Sequence, residues 1–255
     1  MKIGICQVSL SEGRYKENIE TIEKSVKEHL KDKCDILCFP ELCITGYDFN
    51  VAKENPVDER NAISQLAKKY NHALFAGISV KEGDSFYDVA GFWDESGNLL
   101  CEYKKIHLWG DERDFFSHGS CYKIFEYKSW RIGIIICADL GFSELTKAMA
   151  LEGCDLVLCP TAWFKPFHEM LRLMVKARAC ENQMYVAAID RASGDMPLCG
   201  HSLISDPMGE TVAESLTEEE DYIEADISLD HVKEGKETIP WLQMRFPEMY
   251  NKWNL

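Results

Sequence analysis

The strongest constraint on the fold is an alternation of short apolar runs with segments of helical period. The run KIGICQV at 2–8 precedes a segment, 15–30, in which apolar residues recur every three or four positions. DILCFP at 35–40, a second helical segment at 62–70, and ALFAGISV at 73–80 continue the alternation. This β-α-β-α-β order is typical of α/β proteins with parallel strands.

Hairpins are predicted to add antiparallel strands to the sheets. They are FYDVAGFWD with LLCEYKKIHL around the turn ESGN, the two halves of YKIFEYKSWRIGIIIC, and LISDPMGETVAE. After Cys137 the pattern predicts a helix beginning near Ser143, a strand CDLVLCP, a helix from about Pro166 to Asn182 and a strand MYVAAID. The chain therefore carries strands and helices throughout.

Two short strings occur in both halves of the chain. CDILCFP at 34–40 resembles CDLVLCP at 154–160, and KIGI at 2–5 resembles RIGI at 131–134. Two related halves, each giving one sheet of a sandwich, would explain the repetition. We expect a single domain over 1–255, with a tail at about 229–255 packed on another surface and a solvated acidic loop at 218–221.

Charge and cysteine usage limit the classes of function. Lys plus Arg is 28 against 43 for Asp plus Glu, and the net charge of -15 repels nucleic acid and anionic membranes. The first apolar run is too short for a signal peptide, and no stretch reaches the roughly 18 apolar residues of a membrane span. Eleven cysteines without a repeated CxxC indicate neither a disulfide framework nor a zinc module. We expect a cytoplasmic protein without nucleic-acid or membrane partners.

Three unusual residues follow predicted strands, where α/β proteins bind their ligands. Glu41 follows DILCFP, Cys137 is the last residue of GIIIC, and Trp163 comes shortly after CDLVLCP. Because the two halves place their strands in equivalent positions, we expect Glu41 and Cys137 to approach each other. This geometry pairs a carboxylate with a thiol.

A thiol at the corner between a strand and the following helix can act as a nucleophile. The N-terminus of the following helix can lower its pKa, and the backbone amide of Ala138 can stabilise an oxyanion. No histidine adjoins Cys137, so a buried carboxylate with a raised pKa would serve as the base. Lys104 or Lys105 would supply a cation, and strand alternation allows only one of them to point inward.

Four motifs surround the candidate residues, namely FPELCITGY around Glu41, YKKIHL around Lys105, DERDFFSHG around Glu112 and GIIICADLGFSEL around Cys137. Four further strings are PTAW, ARACEN, GHSLISDPMGE and RFPEMY. On these motifs the chain resembles the nitrilase superfamily of carbon-nitrogen hydrolases nearly from end to end. Several motifs in the same order make the match specific.

The resemblance implies a four-layer α-β-β-α sandwich and a catalytic triad. Glu41 would be the general base, Lys105 would stabilise the tetrahedral intermediate, Cys137 would be the nucleophile, and Glu112 would position substrate and lysine. It also implies a homodimer formed through the helices beside the nucleophile, joined by the C-terminal tail. Ala138 and Ser143 depart from the family pattern, as do Trp109 and Gly110, which affects the expected pocket shape.

Each candidate also has an ordinary structural interpretation. Cys137 could be one more core cysteine, Glu41 a cap, and Lys105 a surface lysine on an edge strand. Glu112 could be a solvated loop acid, and Trp163, a candidate pocket residue, could belong to the core. The histidines show no metal-ligand spacing, and we expect neither metal nor cofactor.

The predicted function is cysteine-dependent hydrolysis of a non-peptide C–N bond through a thioester, with a small linear amide or N-carbamoyl compound as substrate. The alternatives are an ω-amidase acting on dicarboxylic acid monoamides and a thiol acyltransferase. A nitrile hydrolase fits less well, because such relatives place Trp-Glu after the nucleophile and this chain has Ala138 and Asp139. A catalytically silent interaction protein is disfavoured by the intact Glu41, Lys105 and Cys137.

Overall fold

The computed structural model describes residues 1–252. Its strands, in chain order, are β1 (Lys2–Gln7), β2 (Ile36–Cys38), β3 (Ala73–Glu82), β4 (Ser85–Trp93), β5 (Leu99–Lys104), β6 (Lys123–Tyr127), β7 (Trp130–Ile134), β8 (Leu156–Thr161), β9 (Tyr185–Asp190), β10 (Leu203–Ser205), β11 (Thr211–Glu214) and β12 (Asp221–Asp226). The helices are α1 (Tyr15–His29), α2 (Phe49–Glu54), α3 (Glu59–Tyr70), α4 (Glu112–Phe115), α5 (Ser143–Leu151), α6 (His168–Asn182), α7 (Leu229–Thr238) and α8 (Pro247–Lys252), with 3-10 turns at Leu30–Asp32 and Cys137–Gly141.

The strands form two mixed sheets with matching strand order. The first sheet runs β12-β1-β2-β3-β4-β5 and the second runs β6-β7-β8-β9-β10-β11. In each sheet three consecutive strands are parallel, β1-β2-β3 and β7-β8-β9, and the strands on either side pair antiparallel. The repeated strings KIGI and RIGI lie on β1 and β7, which occupy equivalent positions. The expectation of one sheet from each half is confirmed, apart from β12.

The sheets pack face to face, and helices cover their outer faces. The central core joins Ile5 and Phe75 of the first sheet to Ile134 and Leu158 of the second. Behind the first sheet lies a cluster that includes α1 and α3 residues, and behind the second lies one that includes α5 and α6 residues. Burying these two-sided apolar strands is the main source of stability. The predicted α-β-β-α sandwich is confirmed.

Strand β12 is the main element that the sequence pattern missed. Asp221, expected in a solvated loop, begins a strand that pairs antiparallel with β1 along its whole length. The strand alternates acidic residues with Tyr222, Ile223 and Ala225, so it lacks the apolar run that marks the inner strands. An edge position tolerates this composition because one face remains in contact with water.

The short helices α2 and α4 were also not predicted, and the other differences concern element ends. Helix α6 begins at His168, two residues after the expected Pro166, and α1 ends at His29. The helix expected near Ser143 begins there. The tail from 229 contains α7 and α8, and its last residues, 253–255, lie outside the described part. Within the described residues, no helix is long and apolar enough to cross a membrane.

Candidate active site

Glu41 lies in a turn that β3 holds in place after β2 ends. The amide of Cys43 donates to the carbonyl of Gly77 at 2.8 Å, and the amide of Gly77 donates to the carbonyl of Pro40 at 3.1 Å. A Cβ at position 77 would lie 2.6 Å from the Cα of Glu41, so this close approach requires glycine. The backbone therefore fixes Glu41, whose side chain is fully buried.

Lys105 is the inward-facing member of the lysine pair. Its amide donates to the carbonyl of Asp88 at 2.9 Å, and its carbonyl accepts from Gly119 at 2.8 Å. Its side chain is fully buried, whereas that of Lys104 contacts Glu82 at the surface. The alternation argument is therefore confirmed, and the surface interpretation of Lys105 is wrong.

The Lys105 ammonium contacts three carboxyl groups. Its Nζ lies 2.5 Å from Glu41, 2.8 Å from Glu112 and 3.2 Å from Asp88. Glu112 sits at the start of α4 and accepts from the amide of Trp109 at 2.9 Å. Glu112 is thus buried in the cluster and is not a solvated loop acid.

Oxygens of the three carboxyl groups lie within 4.8 Å of one another, a spacing that could hold a metal ion. The Lys105 ammonium, however, already lies between them and provides the positive charge. A fixed cation on a side chain can stabilise developing negative charge as a metal would, but without an exchangeable ligand. The three carboxyl groups therefore fit the Lys105 ammonium as their cation.

The pKa of Glu41 differs in direction from the sequence-based expectation of a raised value. Burial alone raises it, but the Lys105 charge and hydrogen bonds involving Asp88, Lys105 and Tyr47 outweigh burial and lower the pKa below its ordinary 4.5. The Tyr47 hydroxyl donates to Glu41 Oε2 at 2.8 Å. Glu41 is therefore ionised at neutral pH and ready to accept a proton.

Asp88 on β4 is the member of the cluster that the sequence pattern did not reveal. Burial raises its pKa far above the ordinary 3.8, and the negative charges of Glu41 and Glu112 raise it further against the opposing effect of Lys105. Apart from the 3.2 Å ion-pair contact with Lys105, neither carboxyl oxygen has a hydrogen-bond partner among residues 1–252. A protonated Asp88 resolves this, because its hydroxyl can donate to the ionised Glu41.

We expect Asp88→Asn to preserve activity within about threefold, because the amide replaces the protonated carboxyl as a donor, whereas Asp88→Leu should lower kcat about tenfold or more.

Asp88→Asn should also raise the melting temperature at pH 7 by about 2 °C or more, since the native Asp88 carries a proton that the unfolded chain releases. The gain should disappear as the pH falls to 3.8. Steady-state kinetics and thermal unfolding at several pH values measure both effects, and equal losses in the two variants would contradict a neutral Asp88.

Cys137 occupies a strained corner after β7. Its φ is +44°, a left-handed conformation that is uncommon for residues with a side chain. It begins the 3-10 turn Cys137–Gly141, and α5 follows at Ser143. Such strain concentrates at functional sites when the surroundings enforce it. The side chain is partly buried against the central core.

Asp139 enforces this corner, and the sequence analysis gave it no such role. Its buried carboxylate accepts from the amide of Ile136 at 3.0 Å and from the hydroxyl of Tyr103 at 2.7 Å. It also accepts from the amide of His107 at 3.1 Å. Because Tyr103 and His107 flank Lys105 in the chain, Asp139 connects the cysteine corner to the lysine segment.

The pKa of the Cys137 thiol is raised well above its ordinary 9.0, contrary to the expected lowering by a helix N-terminus. Burial is the largest cause and the Glu41 charge adds to it, while Lys105 and the amide of Ala162 act in the opposite direction. The helix α5 begins only at Ser143, too far along the chain to dominate. The resting thiol is therefore protonated, and a base must remove its proton.

Ala138 and Trp163 line a cavity of about 430 Å³ that includes Cys137. Within residues 1–252 the Ala138 amide donates no backbone hydrogen bond, so it is available to a ligand. The indole nitrogen of Trp163 is also buried without a partner among the described residues. Both predicted pocket residues thus lie beside the thiol.

A buried carboxylate–lysine pair and a strained cysteine between two stacked sheets define a class, the thiol-dependent enzymes that hydrolyse C–N bonds. The family model "Carbon-nitrogen hydrolase" matches residues 2–237. The chain belongs to this family, within the nitrilase superfamily, and performs cysteine-dependent hydrolysis of non-peptide amide bonds.

Named relatives agree with this class. The 2-oxoglutaramate amidase of Bacillus subtilis is 32% identical over 247 residues, covering 93% of this chain and 95% of that protein. The Omega-amidase NIT2 of Xenopus tropicalis is 32% identical over 257 residues, covering 92% and 91%. A solved amidase from Nesterenkonia sp. AN1, carrying acrylamide added to its active-site cysteine, superposes with a TM-score of 0.88 at 24% identity over 99% of both chains, and this likeness supports the fold.

Proposed function

We propose that Cys137 is the nucleophile of this amidase and Glu41 its general base, with Lys105 as the cation that stabilises the intermediate. The observation that carries the proposal is the buried contact of 2.5 Å between Glu41 and Lys105 in a site that also shifts the pKa of Cys137. The ionised carboxylate and the protonated thiol are the two states that proton transfer requires.

The first half of the reaction forms a thioester. Glu41 takes the proton from Cys137 as the sulfur attacks the carbonyl carbon of the amide, and the carbonyl electron pair moves to oxygen. The amide of Ala138 and the ammonium of Lys105 stabilise this oxyanion. When the intermediate collapses, the C–N bond breaks and the proton held by Glu41 passes to the nitrogen, releasing ammonia or an amine.

The second half returns the enzyme to its resting state. Glu41 takes a proton from water, the resulting hydroxide attacks the thioester carbonyl, and the C–S bond breaks. The sulfur regains the proton, and the carboxylic acid leaves. Glu112 positions Lys105 throughout, and Trp163 positions the substrate in the cavity beside Cys137.

An ammonia-release screen tests the function. It covers short aliphatic amides, aromatic amides, ω-monoamides, N-carbamoyl amino acids and nitriles, with Cys137→Ala as the blank. We expect turnover of a restricted set of amides and little turnover of nitriles. Ammonia release that is the same in the blank would contradict the proposed site.

A thiol acyltransferase is the second candidate, because the same thioester can pass its acyl group to an amine. Adding hydroxylamine or a primary amine to a working assay distinguishes the two. Predominant acid formation supports hydrolysis, and predominant acyl transfer at low amine concentration supports the transferase.

We further propose a homodimer that associates through α5 and α6. Leu151 on α5 is 50% exposed and Leu173 on α6 is 66% exposed, and the tail adds Met244 and Phe246, also exposed. Large apolar side chains in such a patch favour a protein interface. Sedimentation should give twice the monomer mass, and Leu173→Glu should shift it toward monomer. Val57→Glu, at a position that is 40% exposed just before α3, is the control.

The compartment and the domain organisation are also proposed. Eleven free cysteines suit the reducing cytoplasm, where thiols stay unpaired. We treat residues 1–255 as one catalytic domain, supported by a central core to which both sheets contribute.

A further inference from the structure

The cavity beside Cys137 is apolar over most of its wall. Its side chains are chiefly aromatic rings and thioethers, namely Trp109, Phe142, Trp163, Phe164, Phe167 and Met170. Trp109 and Phe164 contact each other with ring centroids 5.9 Å apart, and Phe142 stacks on the ring of His107 at 3.6 Å. A wall of packed rings favours an apolar ligand through the hydrophobic effect.

None of the lining residues, all within the described part of the chain, carries a charge. Arg178 lies behind the wall, and its Nη2 is 3.8 Å from the sulfur of the lining Met174. Its Nε donates to the carbonyl of Leu140 at 3.0 Å, and its Nη1 contacts Glu181 at 3.0 Å. Arg178 is therefore committed to holding the 3-10 turn and α6 together.

Two further cations close to the carboxyl cluster, Lys105 and Arg191, are not among the residues that line the cavity. The Lys105 ammonium is turned toward Glu41, Glu112 and Asp88. Arg191, at the end of β9, contacts Glu12 at 2.7 Å and lies over the ring of Tyr47, outside the cavity wall. A substrate carboxylate in this cavity would lose its hydration without gaining an ion pair.

The geometry points to amides that carry an uncharged apolar group on the carbonyl carbon as the substrates of this enzyme. This inference rests on the proposed function, because it places the scissile carbonyl at Cys137 and the rest of the acyl chain against the aromatic wall. It excludes ω-monoamides and N-carbamoyl amino acids as preferred substrates, since both carry a carboxylate. The residues that line this cavity offer no cation to such a carboxylate.

Two substrates of the same shape test the inference. Glutaramate and 5-methylhexanamide have equal chain lengths, and an isopropyl group in the second takes the place of the carboxylate in the first. We expect kcat/KM to favour 5-methylhexanamide about 100-fold or more, because the carboxylate remains unpaired in the cavity. An equal or higher kcat/KM for glutaramate would overturn the inference while leaving amide hydrolysis intact, whereas no cysteine-dependent ammonia release from any amide would overturn the proposed function.

A charge placed in the wall provides the second test. Met170 is 42% exposed at the rim of the cavity, so Met170→Arg can extend toward bound substrate without a buried charge. We expect this variant to raise the glutaramate to 5-methylhexanamide ratio about tenfold or more, and Met170→Leu to leave the ratio unchanged. If Met170→Arg unfolds, Phe167→Arg at the same rim replaces it. An unchanged ratio in a folded arginine variant would show that the substrate chain does not occupy this cavity.

Discussion

Replacing Cys137 with alanine is expected to lower amide turnover about 10⁴-fold or more while leaving the fold intact. No other group in the cluster can form the thioester, because Lys105 is held as an ammonium and the remaining members are carboxyl groups. Cys137→Ser should also be severely impaired, since a hydroxyl is harder to deprotonate than a thiol. Steady-state ammonia release on the best amide from the screen measures the effect.

Two measurements separate a chemical loss from a structural one. Cys121→Ala removes an exposed thiol and should retain parental turnover, and unfolding curves should show Cys137→Ala folded. Mass spectrometry of the acid-quenched parent should find the acyl group on the peptide containing Cys137. Normal turnover in Cys137→Ala, or an acyl adduct on another cysteine, would refute the assignment of the nucleophile.

Glu41→Gln is expected to lower kcat about 10³-fold, because the amide keeps the shape of the carboxylate but cannot take the thiol proton. Lys105 can still donate to the glutamine oxygen, and the Tyr47 hydroxyl can accept from the amide nitrogen, so the site should remain assembled. The pH profile adds a directional test. Since the pKa of Glu41 lies below 4.5, the parent should keep its base ionised as the pH falls to that value, and any loss of kcat from protonation of Glu41 should appear only below it.

Glu59→Gln is the matched control for a buried carboxyl group. Glu59 is 3% exposed, lies on α3 and accepts from the amide of Ser79 at 2.9 Å, away from the cluster. Its replacement should change stability but leave kcat near the parental value. A kcat for Glu41→Gln that equals that of Glu59→Gln would remove Glu41 from the role of base.

The sequence predicted the architecture well because the inner strands are apolar on both faces. Such strands and the amphipathic helices between them have distinct periods, and the repeated strings indicated equivalent positions in the two sheets. Strand β12 escaped because an edge strand with alternating acids resembles a polar loop. The sequence pattern therefore predicts the order of the elements better than it predicts which strands lie at the edges of each sheet.

The site was predicted unevenly, for a physical reason. Strand alternation predicted that only one of Lys104 and Lys105 points inward, and the family resemblance selected Lys105. Glu112 was assigned only through the resemblance, since an acid in GDERD has no periodic signal. In the sequence, Asp88 looks like an ordinary polar residue of a hairpin strand. Its burial depends on the loop that begins at Lys105. The predicted pKa directions of Glu41 and Cys137 were wrong because the first depends on the distance to Lys105 and the second mainly on burial, and a sequence contains neither.

The raised pKa of Cys137 also affects how long the enzyme survives under oxidative conditions. Peroxides oxidise thiolates to sulfenic acid much faster than they oxidise protonated thiols. Because the resting thiol keeps its proton, its reactivity develops mainly while a substrate carbonyl is present to receive the sulfur. The same burial that makes a base necessary thus protects the nucleophile between turnovers, a form of chemical durability that a permanently ionised cysteine would lack.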